Sequence, residues 1–413
     1  MFKPPEKVIS FGGYKARKTF DRAFSRGLSH RDNGRIELAI SEWEKAARAD
    51  QDNGEVRLEI GMALTELGQY EQALEYFQQA SSLEPEAVEP LFFMGLVHSG
   101  NLDYSEAVRV WEKALTLDPI NCDVALSLGD LYREMGEYQQ AIRTVSPLMD
   151  REPDNVEALN LWARICLDQN QGQTAIQWLQ CALRVDPSSY RTYLNLGLVY
   201  LVTDWLDCAI LQFRKAADLC PDSSEVLFYL GYALAIRGDL TTAVGVLQRT
   251  VESREDFPEA WILMGTVLVE LGQLERGEQI LSRALKEDPG SGDCAGTLGV
   301  IHMMRGDTDR AIEKFNLALE LGVSTPAMMR IRLGEAHLMA GRIPDAVSHL
   351  HQAVEEDPSS FEGNLLLGDC YKMLGDVDGA VSWWRKALNL KDHSEEIRNR
   401  LIFSGDSHQQ QDI

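Results

Sequence analysis

Cysteine is sparse in this chain and never paired. Seven stand at positions 122, 166, 181, 208, 220, 294 and 370 of 413 residues, an odd number with no CxxC spacing. That excludes a disulfide framework and a thiolate zinc site, and it points to a reducing, cytoplasmic setting. Long apolar runs are missing as well. No stretch approaches the roughly 18 uninterrupted apolar residues of a membrane helix, and the opening MFKPPEKVISFGGYKARKTF lacks the apolar centre of a signal peptide. Cations are the minority, 40 Lys and Arg against 64 Asp and Glu for a net charge of −24. An acidic body argues against nucleic acid as a partner, because phosphate contacts need a basic surface.

Catalytic signatures are absent too. No HExxH, GxSxG or Walker pattern occurs. His30-Arg31-Asp32 has the look of a kinase catalytic loop, yet the Asn required five residues later is Glu37, and no glycine-rich phosphate loop exists. His349 and His351 form an HxH pair, but residues two apart on a helix point to different sides, so they read as surface residues rather than metal ligands. The expectation is a protein that is not an enzyme and has no cofactor and no metal.

What is present is periodic. Gly61, Ala73, Phe77 and Ala80 return 34 residues later as Gly95, Ala107, Trp111 and Ala114. The frame continues through Gly129/Ala141, Ala163/Ala175, Gly197/Ala209, Gly231/Ala243, Gly265/Gly277, Gly299/Ala311, Gly334/Ala346 and Gly368/Ala380, and upstream through Gly27, Ala39 and Trp43. These are eleven units, with one slip of a single residue between Gly299 and Gly334. Within GEVRLEIGMALTELGQYEQALEYFQQASSLEPEA, two amphipathic stretches flank a break at Gly68, where a helix stop through positive φ is cheapest as glycine. The break glycine recurs at 34, 136, 238, 272, 306, 341 and 375, and a proline near the unit's end stops the second helix. The tryptophans at 43, 111 and 384 fall on the interhelical aromatic position and read as core. His30, His98, His302 and His337 share the eleventh position, which favours packing over a site. One helix pair cannot bury its apolar faces alone, so neighbours must stack.

The period and these residues resemble the tetratricopeptide repeat family over residues 20–394. The resemblance implies an all-α fold, a right-handed superhelical α-solenoid of antiparallel helix pairs whose first helices line a concave groove for a peptide or a partner's helix. Residues 1–19 then form a basic arm: residues 1–35 carry +6, leaving −30 for the rest. Residues 395–413 read as a capping helix, with Ile397 and Leu401 inward, and a disordered tail. Repeat 1, with Ala23, Arg26 and His30 where the family prefers large residues, reads partly as a cap.

Taking positions 2, 5, 9 and 12 of each first helix as groove-facing, position 2 is acidic in nine of eleven repeats, from Asp21 and Glu55 to Glu362. An acid in a helix's first turn complements the dipole, and it also makes an acidic ledge. Position 5 is mostly apolar, and repeats 6 to 8 are richest, with Leu194, Leu198, Phe228, Tyr232 and Ile262. Asn160, Arg164, Arg191 and Asn195 break the acidic rhythm. In family members that clamp a carboxylate terminus, Asn195 has a counterpart, but the first pair is reversed here and Glu225 and Tyr229 replace two cations, so chaperone-tail binding is not expected. The expected function is a scaffold or adaptor binding an extended peptide or amphipathic helix, basic by preference, at these nine residues. Two other readings are a homo-oligomer built through the basic arm and an accessory subunit of an enzyme or secretion complex.

Overall fold

The computed structural model of the chain describes residues 11–254, 256–390 and 400. Seven of its first helices begin at an Asn or Ser whose side chain accepts a hydrogen bond from the N–H three residues on. The pairs are Asn53 with Val56, Asn121 with Val124, Asn155 with Ala158, Ser189 with Thr192, Ser223 with Val226, Ser291 with Cys294 and Ser360 with Gly363. Each cap satisfies a donor that a helix start leaves orphaned. Five of the preceding second helices end at an Asp that accepts from the N–H two residues on, as Asp186 does from Ser188 at 2.9 Å and Asp357 from Ser359 at 3.0 Å. Such turns restrain the joint between repeats.

Among the described residues there are 22 α-helices and no strand. They fall into two compact units, divided after Thr203. The first unit holds five pairs: α1 (Phe11–Asp32) with α2 (Ile36–Ala49), α3 (Gly54–Glu66) with α4 (Tyr70–Leu83), α5 (Glu89–Gly100) with α6 (Tyr104–Leu117), α7 (Cys122–Glu134) with α8 (Tyr138–Arg151), and α9 (Val156–Asp168) with α10 (Gly172–Val185). It closes on α11 (Tyr190–Val202). The second unit opens with α12 (Leu206–Leu219) and continues as α13 (Ser224–Arg237) with α14 (Leu240–Ser253), α15 (Pro258–Glu270) with α16 (Leu274–Glu287), α17 (Gly292–Met304) with α18 (Thr308–Leu321), α19 (Pro326–Met339) with α20 (Ile343–Glu356), and α21 (Phe361–Met373) with α22 (Val377–Leu390). This is the all-α solenoid of helix pairs that the period implies. α1 starts at Phe11, so the backbone of residues 11–19 runs helically into the first repeat. The proposed capping helix lies outside the described residues except for Arg400, which pairs with Asp369 at 2.9 Å.

The turn between the helices of every repeat passes through one left-handed residue. Eight are the glycines at the expected breaks, from Gly34 at φ +71° to Gly375 at +84°, and three are not glycine: Leu102 (+62°), Asn170 (+59°) and Asp204 (+63°). The chain closes first helices the same way after glycine and after Leu102 or Asn170. Gln69 N–H donates to Leu64 O at 2.9 Å after Gly68, and Asp103 N–H donates to His98 O at 2.9 Å after Leu102.

The core repeats with the sequence. Trp43, Phe77, Trp111, Phe213, Phe315 and Trp384 are each at most 2% exposed. Trp43, Phe77, Trp111, Phe315 and Trp384 each lie against the eighth-position glycine of their first helix: a Cβ on Gly95 would overlap the indole of Trp111. Trp111 Nε1 donates to Phe92 O at 3.0 Å, so the ring is fixed as well as buried. The one-residue slip falls within α19, which starts at Pro326, eight residues ahead of its glycine, where α17 and α21 start seven ahead of theirs. Before it, Gly322 turns at φ +89° and Ser324 N–H bonds Asp293 at 3.1 Å.

Two expectations for histidine part here. His302 and His337 are buried, 6% and 7% exposed, as packing residues at the eleventh position. His349 and His351 do point to different sides, but neither is a surface residue. His349 stacks on His337, and His351 sits edge-on to Trp383 with Nε2 3.0 Å from the Tyr371 hydroxyl. His349 turns to α19 of its own repeat and His351 to α21 and α22 of the next, so both directions lead inward.

Candidate binding surfaces

In the first unit, α9 and α11 are neighbouring first helices, and the polar residues singled out in them meet. Asn160 is 8% exposed. Its Nδ2 donates to Val156 O and to Thr192 Oγ1, each at 2.8 Å, while its Oδ1 accepts from Asn195 Nδ2 at 2.8 Å. Thr192 Oγ1 passes the chain on to Ser189 Oγ at 2.8 Å. Both N–H donors of Asn160 are thus spent inside the protein, and the residue joins repeats 5 and 6 instead of facing a ligand. Asn195 is half-buried and keeps its amide oxygen available.

Arg164 lies beside this ladder, half-exposed, with NH1 3.2 Å from Asp130 Oδ2. Asp130 is shared with the nearly buried Arg133, which also reaches Asp168 at 2.8 Å. Burial works against the Arg133 charge, but the bonds to Asp168 and Asp130 outweigh it and hold its pKa above the usual value. Arg191 is exposed, its Nε 3.3 Å from the Tyr190 hydroxyl. Leu194 is 4% exposed and belongs to the core, whereas Leu198 is half-buried at the surface. Glu55, Glu89, Asp123 and Glu157 are exposed at first-helix starts, whereas Asp21, also exposed, stands in the middle of α1, which begins at Phe11 and has no acid in its first turn.

In the second unit, the apolar residues form a continuous aromatic step. Phe213 stacks on Tyr229 at 6.0 Å, Tyr229 meets Phe228 edge-on at 5.4 Å, and Phe228 packs on Phe257 at 4.9 Å. Arg254 caps the step, its guanidinium 5.2 Å from the Phe257 ring. One turn beyond Phe228, Tyr232 leaves 39% of its surface exposed, and Ile262 of α15 is half-buried. Glu225 and Glu259, both exposed, stand at the starts of α13 and α15. Burial, and next the Glu225 charge, push the Tyr229 hydroxyl pKa upward, so its proton stays on and the step is neutral. Phe257, in the loop before α15, was not among the sequence-picked residues. Its signal was its place at the last position of repeat 7, just ahead of a proline.

Among the described residues, no group of three or more His, Cys, Asp or Glu is arranged to hold a metal, and no helix is long and apolar enough to cross a membrane.

Comparison with known proteins tiles nearly the whole repeat region. Residues 24–87 match a family model of the tetratricopeptide repeat, and residues 100–182 match that of subunit 3 of the anaphase-promoting complex, cyclosome. Residues 185–401, just over half of the chain, match that of the C-terminal domain of cilia and flagella-associated protein 70. A TPR repeat-containing protein of Pseudomonas aeruginosa is 38% identical over 77 residues, which cover 19% of this chain and 72% of that protein. The BBSome complex member BBS4 of Bos taurus is 30% identical over 88 residues, 21% of this chain but 17% of its own length. The crystal structure of the APC/C hetero-tetramer Cut9–Hcn1 superposes with a TM-score of 0.52 at 13% identity, covering 96% of this chain and 97% of the other.

Proposed function

Because the chain belongs to the tetratricopeptide repeat family, we propose that it is a non-enzymatic scaffold that binds protein segments along its first helices. The observation that carries this is the half-buried step of Phe228, Phe257 and Ile262, with Tyr232 exposed one turn beyond Phe228 and carboxylates at the starts of α13 and α15. Exposed aromatic surface of this kind is costly in water and is the usual anchor of a binding surface. Glu225 and Glu259 select by charge. The favoured ligand has one or two large apolar side chains flanked by Lys or Arg, presented as an extended strand or one helical face.

In the first unit, Arg164, Arg191 and Asn195 make a smaller polar station, where Arg pairs with an acidic group and the Asn195 amide bonds a backbone. A second reading, self-association, is favoured by one observation: α1 extends nine residues ahead of the first repeat, with Arg17 and Lys18 exposed. Removal of residues 1–19 should then leave monomers in light scattering, and an intact chain already monomeric at high concentration would end that reading.

The direct test is selection of a displayed random-peptide library on the intact chain, with Tyr232→Glu and Ile262→Glu variants as counter-targets. Selected peptides should share an apolar–basic pattern, lose about tenfold or more in affinity on either variant, and weaken as salt rises. Peptides that bind both variants and wild type equally would remove the step as the site. Arg164→Glu with Arg191→Glu tests the polar station in the same way.

A further inference from the structure

In the tenth repeat, His337 of α19 and His349 of α20 stack ring on ring, centroids 5.3 Å apart and planes 16° from parallel. His337 is 7% exposed and His349 is half-buried. The Nδ1 atom of each ring is buried with no hydrogen-bond partner. For His337 an anion waits just out of reach, Asp345 Oδ2 at 3.9 Å, on a side chain exposed at the start of α20. Two cations complete the surroundings. Arg342, in the turn before α20, is held by Asp309 of α18 at 2.7 Å, and Arg330 of α19 is bound to Glu356 at 2.8 Å. α21 contributes Cys370 and Tyr371 to the same core, and the Tyr371 hydroxyl is taken by His351.

We propose that this stack is an acid-sensitive latch: neutral, stacked imidazoles hold α19 against α20, and their protonation opens repeat 10 before the rest of its unit. The pair is placed for it. It forms part of the contact between the two helices of the repeat, each ring covers the face of the other, and a proton on either would be buried beside a second imidazole. Asp345 can approach to compensate one charge, but the second proton meets the first imidazolium at stacking distance. In the folded repeat, burial lowers the pKa of both histidines, and His337 lowers that of His349 further.

The sign of the pH effect follows. The opened repeat exposes both rings, whose ordinary pKa is about 6.5. Stability from the stack is therefore complete above that value and is lost as pH falls below it, because the open form then binds more protons than the closed one. Each histidine shifts the balance toward opening by up to about tenfold per pH unit until its folded pKa is reached. Stability in a repeat array is shared between nearest neighbours, so local opening of one repeat is possible without global unfolding.

Hydrogen exchange of the full chain, followed by mass spectrometry and corrected for the intrinsic pH dependence, tests this between pH 7.5 and 5.5. Repeat 8 (α15 and α16), which contains no histidine, is the internal reference. Amides of α19 and α20 should lose protection several-fold more than those of repeat 8, and His337→Tyr and His349→Phe, which keep a ring without its proton site, should each reduce that excess and together abolish it. Should the aromatic replacements fail to fold, His349→Asn serves as the smaller non-titrating variant with the same expectation. Equal loss in repeats 8 and 10 of the wild type overturns the latch, and so does an excess that folded single variants leave undiminished or that the folded double variant retains.

Discussion

Leu102 is the residue on which the backbone logic of this array is most open to attack. It sits at φ +62° in a position that eight other repeats give to glycine, and its side chain is 72% exposed. A left-handed conformation costs an L-residue roughly 1–2 kcal/mol through the clash of Cβ with the following carbonyl. Glycine escapes that cost but gives back about 0.5–1 kcal/mol in unfolded-chain entropy. Leu102→Gly should therefore be more stable than Leu102→Ala by about 0.5–1 kcal/mol, and that comparison cancels whatever contacts the leucine makes. Gly136→Ala, in the same turn of the next repeat, should lose a similar amount, since no atom lies within 4 Å to add a steric effect. Gly245→Ala, exposed inside α14, should reverse the sign and gain about 0.5–1 kcal/mol, because there the φ is helical and alanine is the better residue. Native-state hydrogen exchange in α5 and α6 reads the local change, about fivefold in protection per kcal/mol, and urea titration followed by circular dichroism checks the direction. If Leu102→Ala proved as stable as Leu102→Gly, the claim that this turn is governed by φ would be refuted.

Three further outcomes are expected. Gly95→Ala pushes a methyl into the Trp111 indole, which cannot retreat from its hydrogen bond to Phe92 without opening the α5–α6 pair. A loss of about 1–3 kcal/mol in denaturant titration is expected, with tryptophan emission shifted to the red. Asn160→Ala leaves Asn195 and Thr192 without their shared partner and should cost about 1–3 kcal/mol; a variant of unchanged stability would show that Asn160 is not a structural link. With thiol reagents at pH 8, exposed Cys208 should react first. Cys294 and Cys370, whose pKa values burial pushes up to about 12 and about 11, should stay unmodified until the chain unfolds, and their labelling in the native protein at rates near that of Cys208 would contradict the burial.

The fold was legible in the sequence because its rules are steric and repeat in register. A glycine under an indole, a small residue between helices and a positive φ each leave few amino-acid choices, so a 34-residue comb of Gly, Ala and Trp survives in the letters. The three turns closed by Leu102, Asn170 and Asp204 were invisible as glycines. Asn and Asp tolerate the left-handed region, so two of them were readable in principle, whereas Leu102 was readable only from the register. The binding residues were harder. Asn160 occupies a position that the family pattern assigns to the groove, yet the hydroxyl of Thr192 one repeat later draws it inward, and no single-repeat pattern contains that pairing. Leu194 shows the same limit for apolar groups, because residue type fixes its affinity for a core without saying which neighbour supplies one. Phe257 and the His337–His349 stack arise from residues 12 to 29 apart that meet only once helices pack.

The extra residue of α19 has a practical consequence. The four residues between α18 and α19 are as many as between α16 and α17, so the array takes up its added residue as one more step of a first helix and not in the joint. The joint itself is closed: the Gly322 carbonyl lies where a Cβ on Gly292 would stand, and Ser324 N–H is tied to Asp293. Anyone splicing a fluorescent reporter or an affinity tag into this array should leave Gly322–Ser324 intact.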